Sequence, residues 1–374
     1  MINENPYVLV VGYRSEIAKS LEKFQISYSI VSDKKIKKIP KHAEHVLVSG
    51  YAHHLIEKLD SLRIAPTHII AGTESAVFPA SRLRRHFGAR TSEQALIRRC
   101  SNKAEMKKYL SDKGVPMTPF IISTGNESAS KVIQELSLPI VVKSVSGSGG
   151  RNLEICRSEN ELEKKMGKNL IYERFVDAPE GSIESYVNHG QILFTNVTEY
   201  YVKGTSNIVP ASYSKKELEQ LLEFNATTLK KLKINWGLTH LEFYRHKNGT
   251  LFGEVALMPP GGYIMKLLKA AYDFNPWDAF VSVELDKDFT FPNSPVSFAA
   301  CWVYHPGKGI VKSIKKDPHL PTLVSHKIKV KVGQKINERL SVGEDVGHSI
   351  FISKDVDSLK KDLNSKDLKT LISV

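Results

Sequence analysis

The hydrophobic pattern changes style along the chain. In the first hundred residues short apolar runs alternate with helix-period stretches. Tyr7-Val8-Leu9-Val10-Val11 ends at Gly12, a helical pattern covers Ser15 to Phe24, and a second strand spans Tyr28 to Val31 and ends near Asp33. Val46-Leu47-Val48 and His68-Ile69-Ile70-Ala71 predict further strands, each followed by helix-compatible sequence. Such alternation predicts a parallel sheet, with ligands beyond the carboxyl ends of its strands. Gly12-Tyr13-Arg14 and Gly72-Thr73-Glu74 would reach that crevice, although structural turns explain both glycines equally well and there is no GxGxxG.

A helix is expected from Ser101, with Ser101 and Glu105 bracketing its first turn, to Lys113, where Gly114-Val115-Pro116 stops it. A helix over Ser128 to Leu136 and the strand Pro139-Ile140-Val141-Val142-Lys143 follow. Beyond Pro292, strands and turns punctuated by Gly307, Gly309, Gly333 and Gly343 predict a smaller carboxy-terminal lobe, closed by a helix from Asp357 to Leu363.

Period-two alternation is clearest in THLEFYRHKNGTLFGEVALM, which predicts a hairpin with a three-residue loop, Lys247-Asn248-Gly249. Pairing His246 with Thr250 sets Glu242 opposite Glu254, and His240, Glu242, Tyr244, Phe252, Glu254, Ala256 and Met258 then share one face. Two carboxylates directly opposite repel unless a hard divalent cation lies between them. A solvated hairpin whose glutamates face water would carry the same residues.

Upstream, PIVVKSVSGSGGRNLEIC places Lys143 at a strand end. Ser146-Gly147-Ser148-Gly149-Gly150 follow as a loop whose amides can point at an anion, and a strand from Leu153 to Cys156 comes next. A glycine loop between two strands fits neither the P-loop nor the dinucleotide fingerprint. A plain linker is the alternative, and the lysine favours phosphate capture. In LIYERFVDAPEGSIESYV, Glu173 ends an apolar strand and Glu180 begins another after a turn at Ala178-Pro179. Such a transition can offer backbone groups to a purine edge and a carboxylate to ribose hydroxyls.

Composition narrows the function classes. The net charge of +13 suggests polyanions, but the lysines are dispersed and are not interleaved with stacking aromatics, so no nucleic-acid partner is expected. Apolar runs such as Val296 to Tyr304 are too short to span a bilayer, and the polar, acidic start is no secretory signal. Cys100, Cys156 and Cys301 form no CxxC pair; reduced, packed thiols in a cytoplasmic protein are expected.

The order of these segments, GTESAVFPASRLRRHFG, SNKAEMKKYLSDKGVPMTP, PIVVKSVSGSGGRN, IYERFVDAPEGSIE, the two-glutamate hairpin and PPGGYIMKL, resembles the ATP-grasp superfamily. Within it, the chain is most similar to carboxylate–amine ligases related to bacterial L-amino acid ligases. The resemblance implies an α/β fold with an amino-terminal parallel domain (1–98), a small ATP-binding lobe (99–178) and a catalytic lobe with a carboxy-terminal α+β subdomain (179–374). It implies ATP and Mg2+ as cofactors and small-molecule carboxylate and amine substrates, amino acids foremost, and it is compatible with a homodimer. Lys103 and Lys143 would contact phosphates, with Ser146 to Gly150 closing over them. Glu173, Arg174, Phe175 and Val176 would bind adenine, Glu180 the ribose, and Glu242 and Glu254 the magnesium. A substrate carboxylate would attack the γ-phosphate, and an amine would capture the acyl phosphate as an amide. Met258, Gly261, Gly262 and Tyr263 would line the acceptor pocket, with Arg14 and Glu74 meeting substrate from the amino-terminal side.

The chain departs from that pattern where an asparagine and an arginine are usual after the second glutamate: here stand Ala256 and Met258. The arginine normally offsets charge on the transferring phosphoryl group. Arg151, Lys266 and Arg14 are the candidates to replace it. The alternative is an Mg-ATP-binding protein with weak turnover or none. A carboxylase or purine-pathway enzyme fits less well, there being no biotin-carrier segment.

Overall fold

A computed structural model describes residues 6–33, 35–36, 40, 43–47, 55–61, 64–147, 153–315, 318–339, 341 and 343–374. The amino-terminal unit comprises β1 (Tyr7–Val11), α1 (Ser15–Lys23), β2 (Ser27–Ser32), β3 (Ala43–Leu47), α2 (Leu55–Ser61), β4 (His68–Ala71) and α3 (Glu74–His86). Its strands pair in the order β3-β2-β1-β4, all parallel. Leu9 and Val11 pack toward Leu59, Ala76 and Leu83, while Val8 and Val10 pack toward Ile17 and Leu21. Burial on both faces is why YVLVV is continuously apolar. The expected third strand is Ala43–Leu47; Val48 lies outside the described residues.

Next come α4 (Gln94–Arg99), α5 (Lys103–Ser111), β5 (Phe120–Ile122), α6 (Ala129–Leu136), β6 (Ile140–Ser144), β7 (Glu154–Cys156), α7 (Glu159–Glu163) and β8 (Leu170–Arg174). The expected helix from Ser101 to Lys113 is shorter, and its cap is Asn102, whose side chain accepts from the amides of Ala104 and Glu105. The Ser101 hydroxyl instead donates to the Ile97 carbonyl at 2.8 Å. Asparagine caps as well as serine does, and a flanking Ser-Asn pair leaves that choice to the preceding chain. The strands form an antiparallel sheet, β5-β8-β6-β7. Ile140, Val142, Cys156 and Tyr172 pack on Val132, Leu136 and Leu162 from α6 and α7. Period two turns Phe120, Val141, Lys143, Ile171 and Glu173 to the opposite face.

The remainder is built on one eight-stranded sheet. Its elements are β9 (Glu180–Asn188), β10 (Gln191–Val202), β11 (Ser206–Val209), α8 (Lys215–Leu232), β12 (Gly237–His246), β13 (Gly249–Ala256), α9 (Ile264–Tyr272), α10 (Pro276–Glu284) and β14 (Phe298–Tyr304). They are followed by β15 (Gly309–Ile310), β16 (Ser313–Ile314), β17 (Leu323–Ile328), β18 (Lys335–Ile336), β19 (Gly347–Ser353), α11 (Val356–Leu363), α12 (Lys366–Lys369) and β20 (Ile372–Ser373). The order β13-β12-β9-β10-β11-β14-β19-β17 carries the stretch beyond Pro292 into the same sheet as the hairpin. Helix α8 covers one face through Leu229 and Leu232 against Ile183, Leu241, Phe243 and Val255. On the other face, α9 packs Ile264, Leu267 and Leu268 over Val209, Cys301 and Ile350. No helix among the described residues is long and apolar enough to cross a membrane.

Candidate functional site

Glu242 lies directly opposite Glu254, as the alternation predicts, but by a different register. His246 pairs with Gly249 and Arg245 with Thr250, one position off the expected pairing, and a bulge between Glu242 and Phe243 restores the glutamate pair. Phe252 accordingly does not share the glutamates' face: it pairs with Phe243, and both are buried in the core over α8. The bulge falls at Gly253, where a Cβ would stand 2.9 Å from the Glu242 carbonyl oxygen. Gly253→Ala is therefore expected to disturb the two-glutamate register and to weaken magnesium-dependent ATP binding several-fold, as read by calorimetry. Unchanged affinity would mean that the bulge is not needed.

Around the glutamates the same sheet face is mostly polar, Ala256 opposite His240 being the exception. Glu184, fully buried, pairs with His240 Nδ1 at 2.9 Å and accepts from Ser182 (2.7 Å), Asn196 (2.9 Å) and Thr198 (2.6 Å). His240 Nε2 approaches Glu242 at 3.6 Å, and the Tyr200 hydroxyl donates to Glu242 at 3.1 Å. Burial alone would lower the His240 pKa; its bonds to Glu184 and Glu242 outweigh that and push it up to about 10. Desolvation opposes ionisation of Glu242, but His240 and Tyr200 hold its pKa down at about 2. His240 thus titrates higher folded than unfolded, where 6.5 is its ordinary value. Its stabilising contribution is full below that value and is lost as pH rises toward about 10. The stability gap between wild type and His240→Asn should therefore narrow from pH 6 to pH 10 in denaturation curves measured with chelator. A pH-independent gap would show a neutral imidazole.

The small lobe supplies the facing wall. Glu173 lies between two lysines, Lys143 at 2.8 Å and Lys107 at 3.1 Å. All three are buried. Burial lowers the Lys107 pKa to about 8 against the pull of Glu173. For Lys143 burial pulls the pKa down, but Glu173, Glu254 and Glu242 together outweigh it and raise the pKa. One carboxylate between two ammonium groups leaves an excess positive charge that a phosphate can complete. Lys103 joins the walls: its ammonium sits 2.8 Å from Glu254 and donates to the Gly147 carbonyl at 2.9 Å. Ser148, Gly149, Gly150 and Arg151 lie outside the described residues, so Ser146 and Gly147 are the described part of the loop.

The expected adenine segment divides by role. The Glu173 side chain is committed to the lysines, and the Arg174 guanidinium donates to the Leu136 carbonyl at 2.6 Å. The Arg174 amide bonds to Pro119, its carbonyl accepts from Thr118, and the Phe175 amide bonds to Pro139. Val176 enters none of these bonds. A groove of about 730 Å³ is lined by Thr118, Arg174 to Pro179 and Arg245 to Asn248. Glu180 pairs with Lys203, and burial pushes its carboxyl pKa up. A larger cavity, about 870 Å³ and lined by Leu96, Lys230 and Trp236, shares no residue with either wall.

The remaining candidates are spread more widely. Arg14 donates to the Gly72 carbonyl at 3.1 Å and its guanidinium lies 5.9 Å from the Trp277 ring centre. Glu74 is exposed at the start of α3. Met258 packs, half-buried, against the core of the amino-terminal unit. Gly261 is exposed, the Gly262 carbonyl accepts from Asn207 at 2.9 Å, and Tyr263 stands just ahead of α9 with its ring on His348. Lys266 is exposed, and burial and Lys327 lower its pKa. Among the described residues no three His, Cys, Asp or Glu side chains converge as a metal cluster, so Glu242 and Glu254 would leave most positions of a cation to phosphate and water. Lys107, Glu184 and His240 were not singled out as site residues from sequence. For Glu184 the available signal was its alternation with Glu180 and Ser182, between Gly181, Ile183 and Val187 on the other side.

Residues 100–238 match the profile of a family described as ATP-grasp domain. The L-arginine-specific L-amino acid ligase of Bacillus subtilis is 24% identical over 317 residues, covering 78% of this chain and 77% of that protein. The crystal structure of an L-amino acid ligase from Bacillus licheniformis superposes with a TM-score of 0.81 at 15% identity, covering 99% of this chain and 98% of that one. N5-carboxyaminoimidazole ribonucleotide synthetase from Thermotoga maritima superposes at 0.77 with 16% identity over 98% and 99%.

Proposed function

We propose that this protein, which carries an ATP-grasp domain within an ATP-grasp fold, is an ATP-dependent carboxylate–amine ligase that forms an amide, a peptide bond foremost, and releases ADP and phosphate. The observation that carries the reading is the opposition of charge across one cleft. Lys103, Lys107 and Lys143 against the single Glu173 form a cationic wall, and Glu184, Glu242 and Glu254 against His240 form an anionic one. A nucleotide's phosphates suit the first and a hard cation the second.

Two facing carboxylates are oxygen donors of the kind magnesium takes, so Glu242 and Glu254 would hold it. Bound there, it would offset phosphate charge. The chain's own groups do the rest. Lys143, braced by Glu173, and Lys103, braced by Glu254, neutralise the phosphates as the substrate carboxylate approaches. His240 and Tyr200 fix the Glu242 carboxylate. The carboxylate takes the γ-phosphoryl group as ADP leaves, and the amine then displaces phosphate from the acyl phosphate, giving up a proton as the amide forms. A second reading, magnesium-dependent ATP binding without turnover, rests on Met258, which packs into a core where the related pattern has an arginine.

An ADP-release assay with pooled amino acids and amines separates the two. Substrate-dependent ADP with phosphate is expected. AMP release would contradict the acyl-phosphate route, and tight ATP binding with no turnover would establish the second reading.

A further inference from the structure

The face that carries the acidic wall does not end there. Through β11, β14, β19 and β17 the register sets Asn207, Cys301, Ile350 and Ser325 in one row, and Val303, His348 and Lys327 in the next. Over this end stands the start of α9. Tyr263 adopts left-handed backbone angles (φ 64°) that a tyrosine rarely takes, and no side chain caps the helix. Its ring stacks on His348 with centres 4.2 Å apart. Its hydroxyl is 3.1 Å from Asp345 and 3.3 Å from the Lys329 ammonium, which pairs with Asp345 at 2.6 Å.

Lys327 stands opposite His348 across β17 and β19, Lys266 follows Tyr263 in the first turn of α9, and neither has an acidic partner among the described residues; burial first, and then these lysines, hold the His348 imidazole pKa down. His348 is 7% exposed and its Nδ1 has no hydrogen-bond partner. Three lysines against one aspartate, a helix start with no side-chain cap and no acidic residue in its first turn, and a buried imidazole whose Nδ1 lacks a partner make this end of the face short of negative charge. The Gly262 carbonyl, held by Asn207, connects it to the row that begins with Tyr200 and Glu242.

We propose that Lys266, Lys327 and Lys329, gathered about Tyr263 and His348, form an anion subsite that holds a carboxylate or phosphate carried by the amine substrate. This rests on the ligase reading above. The acceptor is then an amine with an anionic group of its own, which the product retains. Lys327, on the sheet beside His348, is the central contact; Lys329, already shared with Asp345 and Tyr263, orients the ring.

The test begins with the acid that yields most hydroxamate when hydroxylamine intercepts the activated acyl group in the presence of Mg-ATP. With that acid, kcat/KM is measured for glycine, γ-aminobutyrate and O-phosphoethanolamine against the neutral glycinamide and ethanolamine. Wild type should favour at least one anionic amine by tenfold or more, and the better arm tells carboxylate from phosphate. Lys327→Gln should cut that preference below threefold through KM, and Lys327→Arg should keep it. Equal use of neutral amines by wild type, or an unchanged preference in Lys327→Gln, would overturn the subsite while leaving the ligase reading intact. Should no acid yield hydroxamate, the ligase reading fails by itself and thermal shift decides the subsite. An anionic amine that raises the melting temperature of wild type but not of Lys327→Gln retains it, and no shift in either overturns it.

Discussion

Lys143→Ala is expected to lower substrate-dependent ADP release by about 10²- to 10³-fold, the scale seen when one preorganised charge donor is removed from a reacting centre. Lys143 is the group of the cationic wall whose pKa is raised although it is almost fully buried, because Glu173 at 2.8 Å, with Glu254 and Glu242, outweighs the burial. Its charge is thus fixed before nucleotide arrives, and no reorganisation is needed when phosphate charge shifts. Truncation should also weaken ATP binding. The fold should survive, since Glu173 keeps Lys107 at 3.1 Å. Single-turnover measurement separates the two effects, and wild-type turnover in a folded variant would remove Lys143 from the site.

Glu184→Leu should have the largest effect on stability. The carboxylate is fully buried, pairs with His240 and accepts from Ser182, Asn196 and Thr198. A leucine would strand a cationic imidazole and three donors, and removing one partner of a buried pair costs about 3–5 kcal/mol. Urea unfolding should show a loss of that order. Magnesium-dependent ATP binding should weaken in whatever fraction remains folded, because His240 would no longer be held against Glu242. A loss under about 1 kcal/mol, the worth of an ordinary hydrogen bond, would show that the His240–Glu184 pair is not ionic.

What the sequence disclosed followed from periodicity. Continuous apolar runs read correctly as parallel strands buried on both faces, and alternation brought Glu242 opposite Glu254. Long-range pairing was not legible. Lys107, one turn beyond Lys103 on α5, looks like any solvated helix lysine until β8 brings Glu173 beneath it. Glu173, at a strand end, suggested a nucleotide contact, whereas the face it occupies is set by the pairing of Val141 with Glu173 across β6 and β8. In the sequence Lys327 and Lys329 are simply two of the dispersed lysines. Their alternation in HKIKVKV puts them on one side of β17 and just beyond it, but only the sheet order shows that this side continues the cleft.

The bulge at Gly253 has an engineering consequence. A hairpin tip that places every residue one step out, followed by an offset that cancels the error before Glu242 and Glu254, is a compensated pair of indels written into the backbone. Grafting a tip of different length onto β12 and β13 would leave one half of that pair without the other. With a tip one residue longer or shorter, every side chain of β13 beyond the graft would change sides, Glu254 passing into the apolar core and Val255 into the cleft. A loop swap at residues 247–249 should therefore preserve function only when position 253 is redesigned with it.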